Sequence, residues 1–134
     1  MIITQDAIER IIAHAEREAP IEACGYLAGT DDWITTFYEL KNIDGREDHF
    51  SFDPQEQFAV HKKARQAGLR IIGVYHSHPI TPARPSAEDI ALAYDPASLY
   101  IIVSLLGGKP VVKGFWIRQG TVSEESLNVE GNKV

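Results

Sequence analysis

The chain has 134 residues, enough for one domain of ordinary size to bury most of its apolar surface without disulfide staples. Its hydrophobic content of 44% is globular, its net charge of −6 argues against a general nucleic-acid binder, and its single cysteine, Cys24, excludes an internal disulfide. No apolar run approaches a membrane span, and residues 1–6 have neither a basic head nor a long apolar core. Neither a membrane partner nor a signal peptide is expected, and a reducing, cytoplasmic setting is the default.

Residues 5–19 predict an amphipathic helix. Ile8, Ile11, Ile12 and Ala15 follow the i, i+3, i+4, i+7 spacing, Thr4 is suited to be the N-cap, and Pro20 stops the helix. His14 lies among charged residues and reads as solvated. Residues 22–29 are mostly small or apolar and predict a buried strand closed by Gly29. Glu22 is the odd residue there, because a carboxylate beside an apolar strand is costly unless it is solvated, paired or near a metal. The segment by itself makes it a half-exposed loop acid; a catalytic role is the alternative. Cys24 reads as a small buried hydrophobe. Residues 33–40 are β-branched and aromatic and predict a strand. A loop over 42–48 and a short strand over 49–52 follow. Asp53-Pro54-Gln55-Glu56 is a helix start, and Gly68 ends that helix after Ala67. Val60, Ala64 and Ala67 form its inner face, whereas His61, Lys62, Lys63 and Arg65 read as a solvated basic face.

The apolar run 71–75 predicts a buried strand that ends in His76-Ser77-His78. Strand positions i and i+2 share a face, so the two histidines converge. Pro79 cannot donate to a ladder and stops the strand. Ser86 is suited to cap a short helix, from Ala87 to about Tyr94, with Asp89 in its first turn. Two imidazoles and one carboxylate are the inventory of a catalytic zinc that keeps a fourth position for water. Each part has a plainer reading: Ser86-x-x-Asp89 is also a capping box, and a lone His-x-His occurs by chance. Their combination in one turn at a buried strand's end points to a metal. Residues 99–106 predict another buried strand, Gly107-Gly108 a hairpin, and residues 111–118 its return. After the turn at Gln119-Gly120, the polar tail predicts a weak edge strand and then fraying. This order predicts an α/β fold: one mixed, largely antiparallel sheet flanked by helices, in a single domain over 1–122 with a polar tail over 123–134.

Glu22, His76-Ser77-His78-Pro79, six residues, Ser86, two residues and Asp89 together resemble the signature of the JAMM metalloproteases, also called MPN+ or Mov34/MPN/PAD-1 domains. The stretches 20–29 and 68–75 resemble the short prokaryotic members, and the likeness spans residues 1–118. The resemblance implies the cytidine-deaminase-like MPN/JAB1 architecture and a Zn2+ ion on His76, His78 and Asp89. It also implies Glu22 as general base and Ser86 as a donor to the oxyanion. The implied activity is cleavage of a peptide or isopeptide bond after the C-terminal diglycine of a small ubiquitin-like or sulfur-carrier protein. No nucleic-acid partner is expected. The short runs 42–48 and 89–99 leave little chain to grasp a large leaving group, so a single amino acid or short peptide is expected there. The carrier's tail is expected to pair with an exposed strand edge near the site. Arg84 is either a contact to an acidic or carbonyl group or a plain solvated arginine. Three rivals are a non-catalytic MPN-type interaction module, a nucleobase deaminase, and a JAMM-like factor of a DNA-repair-associated branch. A complete ligand set opposes the first. One cysteine cannot supply the Pro-Cys-x-x-Cys of the second. The acidic balance opposes the third.

Overall fold

The computed structural model describes residues 1–131. Strand β1 (Ile2–Thr4) leads into helix α1 (Gln5–Glu18), strands β2 (Cys24–Thr30) and β3 (Trp33–Leu40), and helix α2 (Pro54–Gln66). Strand β4 (Arg70–His78), the short helix α3 (Ala87–Ala91), and strands β5 (Leu99–Ser104), β6 (Val111–Arg118), β7 (Thr121–Glu125) and β8 (Asn128–Glu130) complete it. All eight strands form one sheet in the order β7-β6-β5-β4-β2-β3-β1-β8. β4 runs parallel to β5 and antiparallel to β2, whereas β1 is parallel to both β3 and β8. The expected mixed, largely antiparallel sheet is present. β7 and β8 end up at opposite ends of it although only Ser126 and Leu127 join them. The sheet therefore curls until its ends meet, closed by the Met1 amino group on the Glu125 carboxylate at 2.9 Å.

Alternation along the strands decides what lies on each face. Leu27, Ile34, Tyr75, Leu99 and Ile101 point to α1, which buries Ala7, Ile11 and Ala15 against them. Full burial of each such Leu or Ile side chain contributes about 1.5–3 kcal/mol. Cys24, Tyr26 and Val74 point to the other face and meet Val60 of α2. His76 is two residues beyond Val74 and emerges on that second face, where α3 also packs, through Ile90 against Ile102 and Phe115. The β4–β5 pairing is close at Gly73, where any Cβ would run into the Leu99 backbone.

Four expectations need correction. His14 is not solvated; it is 1% exposed and its Nδ1 lies 2.8 Å from the Tyr75 hydroxyl. Residues 49–52 form no strand, because the Asn42 side chain, rather than a neighbouring strand, takes up the loop's backbone groups. β1 was not expected; three residues carry too little pattern, and β1 exists only through pairing with distant β3 and β8. The tail supplies a second strand, β8, beyond the expected one; the expected fraying after it lies outside the described residues from 132 on. Among the described residues no helix is long and apolar enough to cross a membrane.

Candidate metal centre

His76 and His78 stand at the carboxyl end of β4, which is hydrogen-bonded on one side to β2 and on the other to β5. Ser77, between them, points to the opposite face and is fully buried. Its amide donates to the Ala23 carbonyl at 2.9 Å, and its hydroxyl accepts from the Ala23 amide at 2.7 Å. This clamp fixes Glu22, one residue before Ala23, beside the histidines. Two further bonds hold the Glu22 backbone: its amide donates to the Arg46 carbonyl at 2.9 Å, and its carbonyl accepts from Asn42 Nδ2 at 3.0 Å.

Asn42 organises the whole 41–53 loop. Its Nδ2 also donates to the His49 carbonyl at 2.9 Å, and its Oδ1 accepts from the Asp44 and Ser51 amides at 3.1 and 3.3 Å. The loop so held lays Phe50 against the His76 ring, with centroids 4.7 Å apart. It also brings His49 between the Asp44 carboxylate, at 2.7 Å, and the Glu88 carboxylate of α3.

The turn after Pro79 is tied back to the sheet. The Ser104 hydroxyl donates to the Thr81 carbonyl at 2.6 Å, and His78 Nδ1 donates to the Pro82 carbonyl at 2.9 Å. The second bond fixes a tautomer, since a carbonyl only accepts: neutral His78 presents a lone pair at Nε2. That nitrogen lies 3.1 Å from His76 Nε2 and 3.1 Å from Asp89 Oδ2, and His76 Nε2 lies 3.2 Å from the same oxygen. Three potential ligand atoms at this spacing can share one cation. Burial opposes charge on His78, but the bonds to Asp89 and to the Pro82 carbonyl, with the Asp89 and Glu22 charges, together outweigh it and raise the pKa. Burial likewise opposes charge on Asp89, yet hydrogen bonds from His76 and His78 and the Ser86 amide hold it well below the usual carboxylate range. Two imidazole nitrogens and one carboxylate oxygen form a metal-donor set, and zinc is among the metals that accept it. The residues present fit the metal that the sequence implies.

The two readings of Ser86-x-x-Asp89 hold together. Asp89 Oδ2 accepts from the Ser86 amide at 2.9 Å, and Ser86 Oγ accepts from the Asp89 amide at 3.0 Å, a complete capping box. The carboxylate oxygen that closes the box is the one facing both histidines. The cap uses a lone pair of Ser86 and leaves its proton free to donate.

Glu22 is neither half exposed nor within β2. It precedes the strand, is 5% exposed, and its Oε1 is buried without a hydrogen-bond partner. Burial pushes its carboxyl up to about 8; His78 opposes the rise, and Asp89 adds to it. A cavity of about 570 Å³ carries Glu22, Arg46, Asp48, His78, Ile80 and Ser86 on its wall. A second, also about 570 Å³, carries Phe50, Phe52, Tyr100, His76 and Asp89. The triad thus stands between two cavities. Arg84 faces neither; it lines a separate hollow with Leu106 and Lys113. Because β4 is paired on both sides through His76, it offers no free edge at the site. Burial pushes the Cys24 thiol up to about 12, which suits an inert packing residue. The sequence reading missed Asn42, Phe50 and Ser77; only Ser77, between the histidines, carried a positional signal.

The profile of the family described as prokaryotic homologues of the JAB domain matches residues 4–118. The CysO-cysteine peptidase of Mycobacterium tuberculosis (strain H37Rv) is 33% identical over 132 residues, covering 96% of this chain and 90% of that protein. The solution structure of protein DSY2949 from Desulfitobacterium hafniense is 43% identical, covers 98% of this chain and 94% of its own, and superposes with a TM-score of 0.90. A structure described as "JAMM: a metalloprotease-like zinc site in the proteasome and signalosome" is 25% identical, covers 97% of each chain and has a TM-score of 0.62.

Proposed function

The chain belongs to the prokaryotic JAB-domain family, a short branch of the JAMM or MPN+ proteins, and on that premise we propose that it is a zinc-dependent peptidase. We assign it the bond that follows the C-terminal diglycine of a small ubiquitin-like or sulfur-carrier protein. The observation that carries the reading is a buried Glu22 carboxyl, its Oε1 without a hydrogen-bond partner, on the same cavity wall as His78, one of three residues whose metal-donor atoms lie 3.1–3.2 Å apart. The relative named CysO-cysteine peptidase supports the reaction class, and the zinc site of the JAMM structure supports the metal.

His76, His78 and Asp89 would hold the zinc, which supplies Lewis acidity there, polarising a carbonyl and acidifying a water toward a pKa of about 7. Glu22 takes a proton from the attacking water and returns it to the leaving nitrogen. Burial raises the affinity of this carboxyl for a proton, which suits a group that takes one up and passes it on. Ser86, whose hydroxyl proton the cap does not use, donates to the oxyanion as it forms. Phe50, stacked on the His76 ring, braces the imidazole from that side. A purely structural role would not call for an unpartnered buried acid beside a metal-donor triad.

The test is a cleavage assay with zinc-loaded protein. Its substrates are a carrier with a short extension after Gly-Gly, the same carrier with Ala-Ala, and a linked ubiquitin dimer. Cleavage of the Gly-Gly extension above the other two is expected. Preference for the dimer, or for Ala-Ala, contradicts the substrate assignment.

A further inference from the structure

We propose that the cavity beside Glu22 is a subsite for a leaving group with a free α-carboxylate, a single amino acid, and that Arg46 is the residue that reads the carboxylate. The proposal rests on the peptidase reading above and specifies its leaving group.

Hydrolysis adds water across the C–N bond. The acyl carbon keeps the oxygen as a carboxylate, and the nitrogen departs with the proton that Glu22 carried. The leaving nitrogen must therefore face Glu22, so the leaving group occupies the cavity that Glu22 lines. That wall carries three acids, Glu22, Glu47 and Asp48, and, besides the metal-donor His78, one cationic side chain, Arg46. A new ammonium suits the acids. A carboxylate one carbon away from it would be repelled unless a cation meets it, and Arg46 is the cation available on this wall.

Arg46 is placed for that task by the chain itself. Its carbonyl accepts from the Glu22 amide at 2.9 Å, so the arginine is tethered to the residue that would move the proton. The preceding turn is held by Asn42 and closes at Gly45, whose φ of +58° favours glycine. The guanidinium already grips a carboxylate: Nε and Nη2 lie 3.1 and 3.4 Å from the two oxygens of Asp48. This is the fork geometry in which arginine takes a substrate carboxylate. The pair is exposed, with side-chain exposures of 62% and 73%, and a pair of that kind holds weakly. Asp48 marks the place that a substrate carboxylate can take.

The experiment uses the zinc-loaded full chain and a carrier ending in Gly-Gly-Ala, with either a free carboxylate or a carboxamide. The wild type is expected to favour the carboxylate by about 10–100-fold in kcat/KM, the usual worth of a charged hydrogen bond. Arg46→Ala should raise KM for the carboxylate form until it matches the carboxamide. Asp48→Asn frees the guanidinium and should lower that KM. Equal cleavage of both forms by the wild type overturns the proposal and leaves the peptidase reading standing. A second readout needs no turnover. L-alanine, and not L-alaninamide, should shift the Arg46 Nε–H resonance; no shift with either overturns the subsite even if cleavage of every substrate fails for other reasons.

Discussion

One oxygen of Asp89 both accepts from the Ser86 amide and faces the two histidine nitrogens, so the cap of α3 and the metal-donor set are a single construction. Rotating the Asp89 side chain to favour one would break the other. Ser86→Ala is accordingly expected to lose about 1 kcal/mol of stability through the cap. It should also lose about 10²–10³ in kcat through the missing donor. Ser86→Thr, which restores both the acceptor and the donor, should recover both. Thermal unfolding and steady-state kinetics on the same preparations separate the two effects; a stability loss with unchanged kcat leaves Ser86 as a cap alone.

The donor set predicts one zinc per chain. His78→Ala and Asp89→Ala each remove one of three donors and should empty the site, read by metal analysis after dialysis. Full occupancy in both variants would move the metal elsewhere.

Asn42 predicts an effect at a distance from the metal. Asn42→Ala removes the bonds to the Glu22 and His49 carbonyls and to two loop amides. These bonds are part-buried or exposed, so the loss is that of ordinary hydrogen bonds, about 0.5–1.5 kcal/mol each, part of which water recovers. Reduced stability, retained zinc and a lower kcat are expected. Lost zinc would show instead that the loop holds the donors in place.

His14 predicts a pH effect on folding. Burial lowers its folded pKa below the ordinary 6.5, against the pull of Glu39. The unfolded chain then binds the proton more readily. Stability from this group is present above pH 6.5 and is lost as pH falls through 6.5 toward the lower folded value. Denaturant unfolding at a series of pH values should show a smaller loss between pH 7 and 5 in His14→Asn than in the wild type. Equal slopes would mean that His14 stays neutral or charged alike in both states.

What the sequence revealed follows from how local each signal is. β3 and β6 carry long β-branched and aromatic runs, and their predicted bounds match the structure. The donor triad was legible because strand alternation and a helix cap place its residues within one turn of chain. The Glu22 environment was not, since it is set by Ser77 and by the Arg46 carbonyl, which lie far along the chain. His14 failed for a similar reason: its charged sequence neighbours sit on the solvent side of α1, while the ring reaches inward to Tyr75 on β4. The 49–52 segment has strand composition, but the Asn42 side chain takes up the His49 carbonyl and the Ser51 amide, and among the described residues only the Ile43 amide pairs with it backbone to backbone, which leaves it an ordered loop.

The central claim is that Glu22 moves the proton while the histidines and Asp89 hold the metal. Glu22→Gln tests it most directly, because the amide keeps the size of the side chain and cannot accept the proton. Zinc content and cleavage of the Gly-Gly-extended carrier are measured on the same sample. Full zinc with a kcat lower by about 10²–10⁴ is the predicted result; full zinc with unchanged turnover, or loss of the zinc itself, would contradict it.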